Sequence, residues 1–232
     1  MDTDLKPKFE EFIRQSDFPC VGAKSALANG VLSVVNAARI DHAGDDRAIY
    51  AALVRFGRSV IDDAAIPQSL AVAFRGPLHL SETAFEDALW ERLQSLHDLD
   101  MAGGVPWDEA VASDPAAPEF SMSVGGRAFF VVGLHPQAGR LARRFKHPVM
   151  VFNPHAQFER LRANGKYDRM RTVIRNRDRA VQGDVNPMVE NFGSMSEARQ
   201  YSGRIIDDAW QCPFSLKIAS ERKKAGALTK VS

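Results

Sequence analysis

Two apolar runs, Phe129-Phe130-Val131-Val132-Gly133-Leu134 and Val149-Met150-Val151-Phe152-Asn153, each stop at a histidine, His135 and His155, and pass into a helical pattern. Runs this short and this rich in β-branched and aromatic residues read as strands. A strand end held beside a helix start is a place where a scaffold can present one imidazole to a bound group. Two such ends close together in the chain predict neighbouring strands that present both histidines to one space.

The rest of the pattern gives these strands a setting. Residues 5–16 have helical spacing, with Phe9, Phe12 and Ile13 on one face, and a small-residue helix follows from Ala23 to about Asn29. A further helix is expected from Arg47 to about Ile61, burying Ile49, Leu53, Phe56 and Val60. Residues 68–75 read as a strand, and Ser81 as the N-cap of a helix running through Trp90, Leu93 and Leu96 to about His97. Residues 98–118 are rich in Asp, Pro and Gly and read as irregular. A strand over 119–124 and the Gly125-Gly126 turn predict a hairpin with the first histidine strand. Residues 137–145 and 156–179 read as helices, and the tail after about Ile218 as solvated and partly loose. This order predicts an α+β fold, an open mixed sheet flanked by helices, in a single domain spanning 1–232.

Several classes of function fall away. A net charge of +1 gives no global field for nucleic acid or an anionic membrane. No run approaches the length of a membrane-spanning helix, and the polar, acidic N-terminus lacks the apolar core of a signal peptide. The two cysteines, Cys20 and Cys212, are too far apart for a zinc spacing and make no disulfide framework, which favours a cytoplasmic protein with reduced thiols. Neither a phosphate loop, a dinucleotide fingerprint nor a nucleophile elbow is present. A homodimer is compatible with the sequence, which does not set the oligomeric state.

Imidazole ligates zinc and haem iron and serves as a general base near neutral pH. A zinc site wants three or four ligands, and only Glu159 lies near His155 in the chain, so the histidine pair suits a haem better. The bland alternative is that each histidine caps its helix or bonds a turn. Arg140, Arg143 and Arg144 follow His135, where a propionate, phosphate or carboxylate could be gripped by a bidentate fork; a solvated helix face is the alternative. Arg171, Arg175, Arg177 and Arg179 read as ordinary surface charge paired with Asp168 and Asp178. The polar, aromatic stretch from Asn186 to Arg204, with Glu197 and Tyr201 inside it, reads as a ligand-facing segment. Cys20 is either a thiolate ligand of the kind found in haem oxygenases or a small buried apolar thiol.

These segments resemble the YqcI/YcgG family. Phe-Pro-Cys-Val-Gly-Ala-Lys-Ser-Ala (18–26), Gly-Leu-His-Pro (133–136), Val-Phe-Asn-Pro-His (151–155), Gln-Phe-Glu-Arg-Leu-Arg (157–162), Asn-Pro-Met (186–188) and Ser-Glu-Ala-Arg-Gln-Tyr-Ser-Gly-Arg (196–204) recur there in this order. Characterised members are haem-dependent N-hydroxylases of guanidine groups, one of which converts L-arginine to Nω-hydroxy-L-arginine. The resemblance therefore implies a haem b iron protein using dioxygen or peroxide, an electron donor outside the chain and a small guanidine or amine substrate, with no nucleic acid or membrane partner. Residue type and chain position then make His155, whose approach Pro154 stiffens, the expected iron ligand, with His135 or Cys20 as alternatives, and His135 otherwise a residue acting on bound oxygen. Arg140, Arg143 and Arg144 would hold propionates and Glu197 a guanidinium, while Asn186 and Tyr201 would hydrogen-bond substrate or oxygen. Two other readings stay open: a haem or small-molecule binding or sensing protein without turnover, and a non-haem metal enzyme using His135, His155 and Glu159.

Overall fold

In the computed structural model, which describes residues 4–61, 66–184 and 193–216, five strands form one mixed sheet with both faces covered. Strands β1 (Leu32–Arg39), β2 (Ser69–Gly76), β3 (Met122–Val124), β4 (Arg127–Leu134) and β5 (Val149–Pro154) lie in the order β1-β2-β5-β4-β3. Only β1 and β2 are parallel. Helix α3 (Asp46–Ser59) makes the crossover that parallel pairing requires. The other three neighbours are antiparallel, and Gly125-Gly126 turns β3 into β4 as the hairpin pattern predicts. The α+β expectation holds.

Residues alternate between the two faces. Leu70, Val72, Phe74, Phe129, Val131, Met150 and Phe152 point to α3 and to α4 (Glu82–Gly103), and form the larger core with Trp90, Leu93 and Phe214. Leu32, Ala71, Ala73, Leu134 and Val149 point the other way. They meet α1 (Lys6–Arg14) and α2 (Val21–Ala28) through Phe9, Ile13, Phe18 and Ala26. Helices α5 (His155–Ala163) and α6 (Lys166–Gln182) complete the chain's helical set among the described residues.

Four local expectations are corrected. Residues 30–46, to which sequence reading assigns nothing, contain the edge strand β1. Helix α4 runs on to Gly103 because buried Asp100 accepts from Tyr50 Oη at 2.6 Å and from the Gly125 N–H at 2.9 Å, so its last turn clasps the hairpin. Residues 137–145 hold only a 3-10 turn at Leu141–Arg143. Long-range bonds shape it instead, such as Gly139 N–H to Glu82 at 2.9 Å and His135 N–H to the Arg143 carbonyl at 3.0 Å. The helix read over 156–179 is two helices, broken at Gly165, whose φ of +67° suits glycine.

The segment from Ser196 to Phe214 has almost no regular structure and works as a strap. β3 covers only the start of β4, and the strap takes the rest: the Gly133 N–H donates to the Tyr201 carbonyl at 2.7 Å. Ser202 Oγ donates to Glu86 at 2.8 Å, and Arg204 pairs with the same buried carboxylate. The loose tail after Ile218 lies outside the described residues. Among the described residues no helix is long and apolar enough to cross a membrane.

Candidate functional site

The second face of the sheet is incompletely filled. A cavity of about 280 Å³, at the lower end for ligand pockets, lies between that face and helices α1, α2, α5 and α6. Its floor is Phe130, Val132, Val151 and Asn153; Ile13, Phe18 and Cys20 close one side, and Tyr167, Met170 and Ile174 of α6 close the outside. Those α6 residues recur at three- and four-residue spacing, as an inward helix face must, yet Asp178 is the only buried residue of the helix. Helix α6 therefore stands off the sheet with space beneath it.

Cys20 is where this cavity acquires chemistry. It is the N-cap of α2, and its Sγ accepts the Ala23 N–H at 3.4 Å. Burial pushes the thiol pKa up, while backbone N–H groups of Ala23 and Gly22 and the charge of Arg143 act the other way. Arg143 lines the same wall. Its Nη1 donates to the carbonyls of Gly133 at 3.2 Å and Tyr201 at 3.1 Å, and burial pulls its pKa down to about 10. Arg140 also reaches the wall, held between Asp178 and Asp184. Arg144 does not: it is exposed and donates to the Ala138 carbonyl at 2.9 Å. Arg171 pairs with Asp168 at 2.9 Å, as the sequence suggests, but Arg171 and Arg175 also line the cavity from α6. Their place in the Tyr167–Met170–Ile174 stripe is the signal that could have found them.

The two histidines do not share a space. Strands β4 and β5 are neighbours, as expected, but they run antiparallel, with Phe129 opposite Pro154 and Leu134 opposite Val149. Their C-terminal ends therefore leave opposite ends of the sheet, which over seven residues of register at about 3.4 Å each puts the histidine backbones about 24 Å apart. One metal ion cannot bind both. Neither histidine is part of the cavity wall. His135 is buried in the first face, stacked on Phe85 with ring centroids 4.2 Å apart, and desolvation pulls its pKa down to about 4, so it is neutral.

His155 opens α5 in a different cluster. Its Nε2 is 3.4 Å from exposed Glu159, and its Nδ1 is 4.0 Å from Glu197. Burial lowers the His155 pKa and raises that of Glu197 to about 7; the Ser121 hydroxyl beside Glu197 opposes the rise. Glu197 Oε2 is buried with no hydrogen-bond partner among the described residues. Tyr201 is a brace: its hydroxyl accepts the Met122 N–H at 3.0 Å and donates to the Phe129 carbonyl at 3.3 Å. The expected ligand-facing segment is thus mostly strap, and no described residue of 193–216 lines the cavity. Asn186 lies outside the described residues.

Fold and site together define a mixed-sheet α+β protein with an apolar, arginine-rimmed cavity of small-molecule size. The chain belongs to the YqcI/YcgG family, whose model matches residues 9–215. No curated protein and no solved structure matches it.

Proposed function

We propose that this chain is a haem-dependent N-oxygenase of a guanidine or related amine, with L-arginine the first substrate to try, and that Cys20 holds the iron. The observation that carries the reading is the placement of Cys20: it lines an apolar cavity together with arginines, and neither histidine does. The donor set fits a haem. A sulfur at a helix N-terminus accepts a backbone N–H, hydrocarbon walls suit a porphyrin, and arginines suit propionates. His155, the ligand expected first, lies in a different cluster. Bound haem would supply the oxidising power no side chain has, so that the amine, dioxygen, two electrons and two protons give the N-hydroxylated product and water.

The chain's own residues have distinct parts in this reading. The Ala23 N–H steadies the sulfur, and Phe130, Val132, Phe158 and Ile174 keep water from the cavity. Glu159, His155 and Glu197 make a separate line from solvent to a buried carboxyl near half-protonation at neutral pH, and it does not reach the cavity wall. In this reading Glu197, which is off the cavity wall, is not the guanidinium partner expected from sequence.

The test is the absorption spectrum of protein expressed with a haem precursor, ferric and then ferrous with carbon monoxide. A stoichiometric Soret band with a thiolate-type ferrous–CO spectrum, lost in Cys20→Ala and kept in His155→Ala, is expected. Loss in His155→Ala alone would return the iron to that histidine. No band after reconstitution overturns the reading. Oxygen consumption with a reductant and L-arginine then separates an oxygenase from a haem-binding protein without turnover.

A further inference from the structure

The chain has three tryptophans, and two of them share a line of rings with Tyr201. Tyr201 and Trp90 are almost wholly buried and stack with centroids 5.6 Å apart. Trp90 meets Trp210 of the strap at 6.5 Å. Trp210 is half-buried, with the Arg199 guanidinium 5.7 Å from its ring. At the other end Tyr201 meets Phe130 at 5.8 Å, and Phe130 is part of the cavity floor. The line therefore runs from the cavity through the filled core to the surface.

Packing alone does not call for these rings. Phe85, Phe129 and Phe152 fill the same core with hydrocarbon. The Trp90 Nε1, by contrast, is buried with no hydrogen-bond partner among the described residues, a cost that phenylalanine would not carry. The Trp107 Nε1 is orphaned too, but Phe120 stands between that ring and Tyr201. What indole and phenol offer over benzene is that they give up an electron far more readily. A phenol that does so also sheds its proton. The Tyr201 hydroxyl lies close enough to the Glu197 carboxylate to help keep it ionised, and Glu197 Oε2 has a lone pair to receive that proton.

We infer that Tyr201, Trp90 and Trp210 form an electron relay, which discharges an oxidant left in the cavity without substrate by drawing on a small reductant at the surface. The inference rests on the haem reading, which supplies the place where peroxide is activated. Electrons move inward one at a time. Tyr201 gives one across Phe130 to the cavity and its proton to Glu197. Trp90 then refills Tyr201, which takes the proton back; Trp210 refills Trp90, and the reductant refills Trp210. Two passages, with two protons from solvent, turn one hydrogen peroxide into two waters. With ascorbic acid as reductant, one molecule supplies the two electrons, releases two protons and becomes dehydroascorbic acid.

The experiment mixes haem-loaded protein with hydrogen peroxide in the absence of any guanidine, freezes samples at intervals and records electron paramagnetic resonance. Ring-deuterated tryptophan assigns the signal. A tryptophan radical is expected, which ascorbate removes while being oxidised in step with the peroxide consumed. Trp90→Phe should abolish the tryptophan signal, leave a tyrosyl one and stop most ascorbate oxidation. Trp210→Phe should strand the radical on Trp90, beyond the reach of ascorbate. Trp107→Phe, off the line, should behave as the unaltered protein does. An undiminished Soret band in each variant shows that the fold and the cavity are kept. Peroxide consumption with a Soret band but no ring radical, or radicals indifferent to Trp90 and Trp210, overturns the relay and leaves the haem reading standing. The absence of any Soret band removes the oxidant and overturns both.

Discussion

The two faces of one sheet are built to different ends. The first face is filled: Trp90, Phe85, Phe129 and Phe152 are almost wholly buried, and its charged groups Glu86 and Asp100 are spent on the strap and the hairpin. On the second face, helix α6 buries a single residue and leaves a cavity with arginines at its rim. The same strands supply both faces through alternate residues, so the difference lies in what comes to meet them. Buried polar groups with partners hold a fold together, while an unfilled apolar space with charge at its rim awaits something from outside. Tyr201 looks chemical in the sequence and belongs to the first kind of region, its hydroxyl bonded on both sides; His135 lies on the same face, stacked on Phe85, with its Nδ1 unpartnered among the described residues.

The largest effect expected is on the filled face. Trp90→Ala, which removes a ring packed on Tyr201 at 5.6 Å, should cost about 4 kcal/mol in urea unfolding. A cost below that of a cavity-face change would break the contrast.

The buried ionisable groups should come next, through opposite dependences on pH. The folded pKa of Glu197 is raised from 4.5 to about 7, so its stabilisation is complete below pH 4.5 and fades as pH rises through 7. That of His135 is lowered from 6.5 to about 4, so its stabilisation is complete above pH 6.5 and fades as pH falls through 4. Each swing is about 3 kcal/mol, and they offset each other between about pH 4.5 and 6.5. Glu197→Gln should leave stability rising with pH across that window, and His135→Gln should leave it falling; flat profiles in both variants would refute the assignment.

Gly133→Ala should follow. A Cβ there would lie 2.7 Å from Phe85 Cε1 and 2.9 Å from Leu89 Cδ1, so thermal unfolding should show a loss of about 2 kcal/mol from crowding in the filled face. The smallest effect belongs to the cavity wall. Ile174→Ala, on a half-exposed turn of α6, should cost under about 1 kcal/mol while reducing haem uptake. A loss as large as that of Trp90→Ala would mean that α6 is part of the core.

What the sequence discloses follows from how local the deciding interactions are. Helices α1 and α3 and the cap at Ser81 rest on spacing and short-range bonds, and the Gly125-Gly126 hairpin on turn chemistry, so all were readable. The direction of β5 against β4 was not. Closeness in the chain suggested that both histidines share a space, but that would need the two strands to run parallel, which takes a crossover between them. Arg140, Gly139 and the His135 N–H are instead committed to partners distant in sequence or across the turn, and without a helix the strands pair antiparallel. Cys20 was readable as a candidate ligand, but its advantage over His155 depends on α6, more than 140 positions later in the chain, closing the same cavity.

The strap also sets a schedule. Tyr201, Ser202 and Arg204 reach back 72, 116 and 118 positions to Phe129 and Glu86. During synthesis β3, β4 and β5 can pair as soon as they emerge, but the edge of β4 beside Gly133 stays bare until the strap follows, on the order of ten seconds later at ordinary translation rates. For that interval the nascent chain carries an unpaired strand edge, the feature through which neighbouring chains most readily stick together. The protein is most vulnerable on the ribosome, at a place that the finished fold hides.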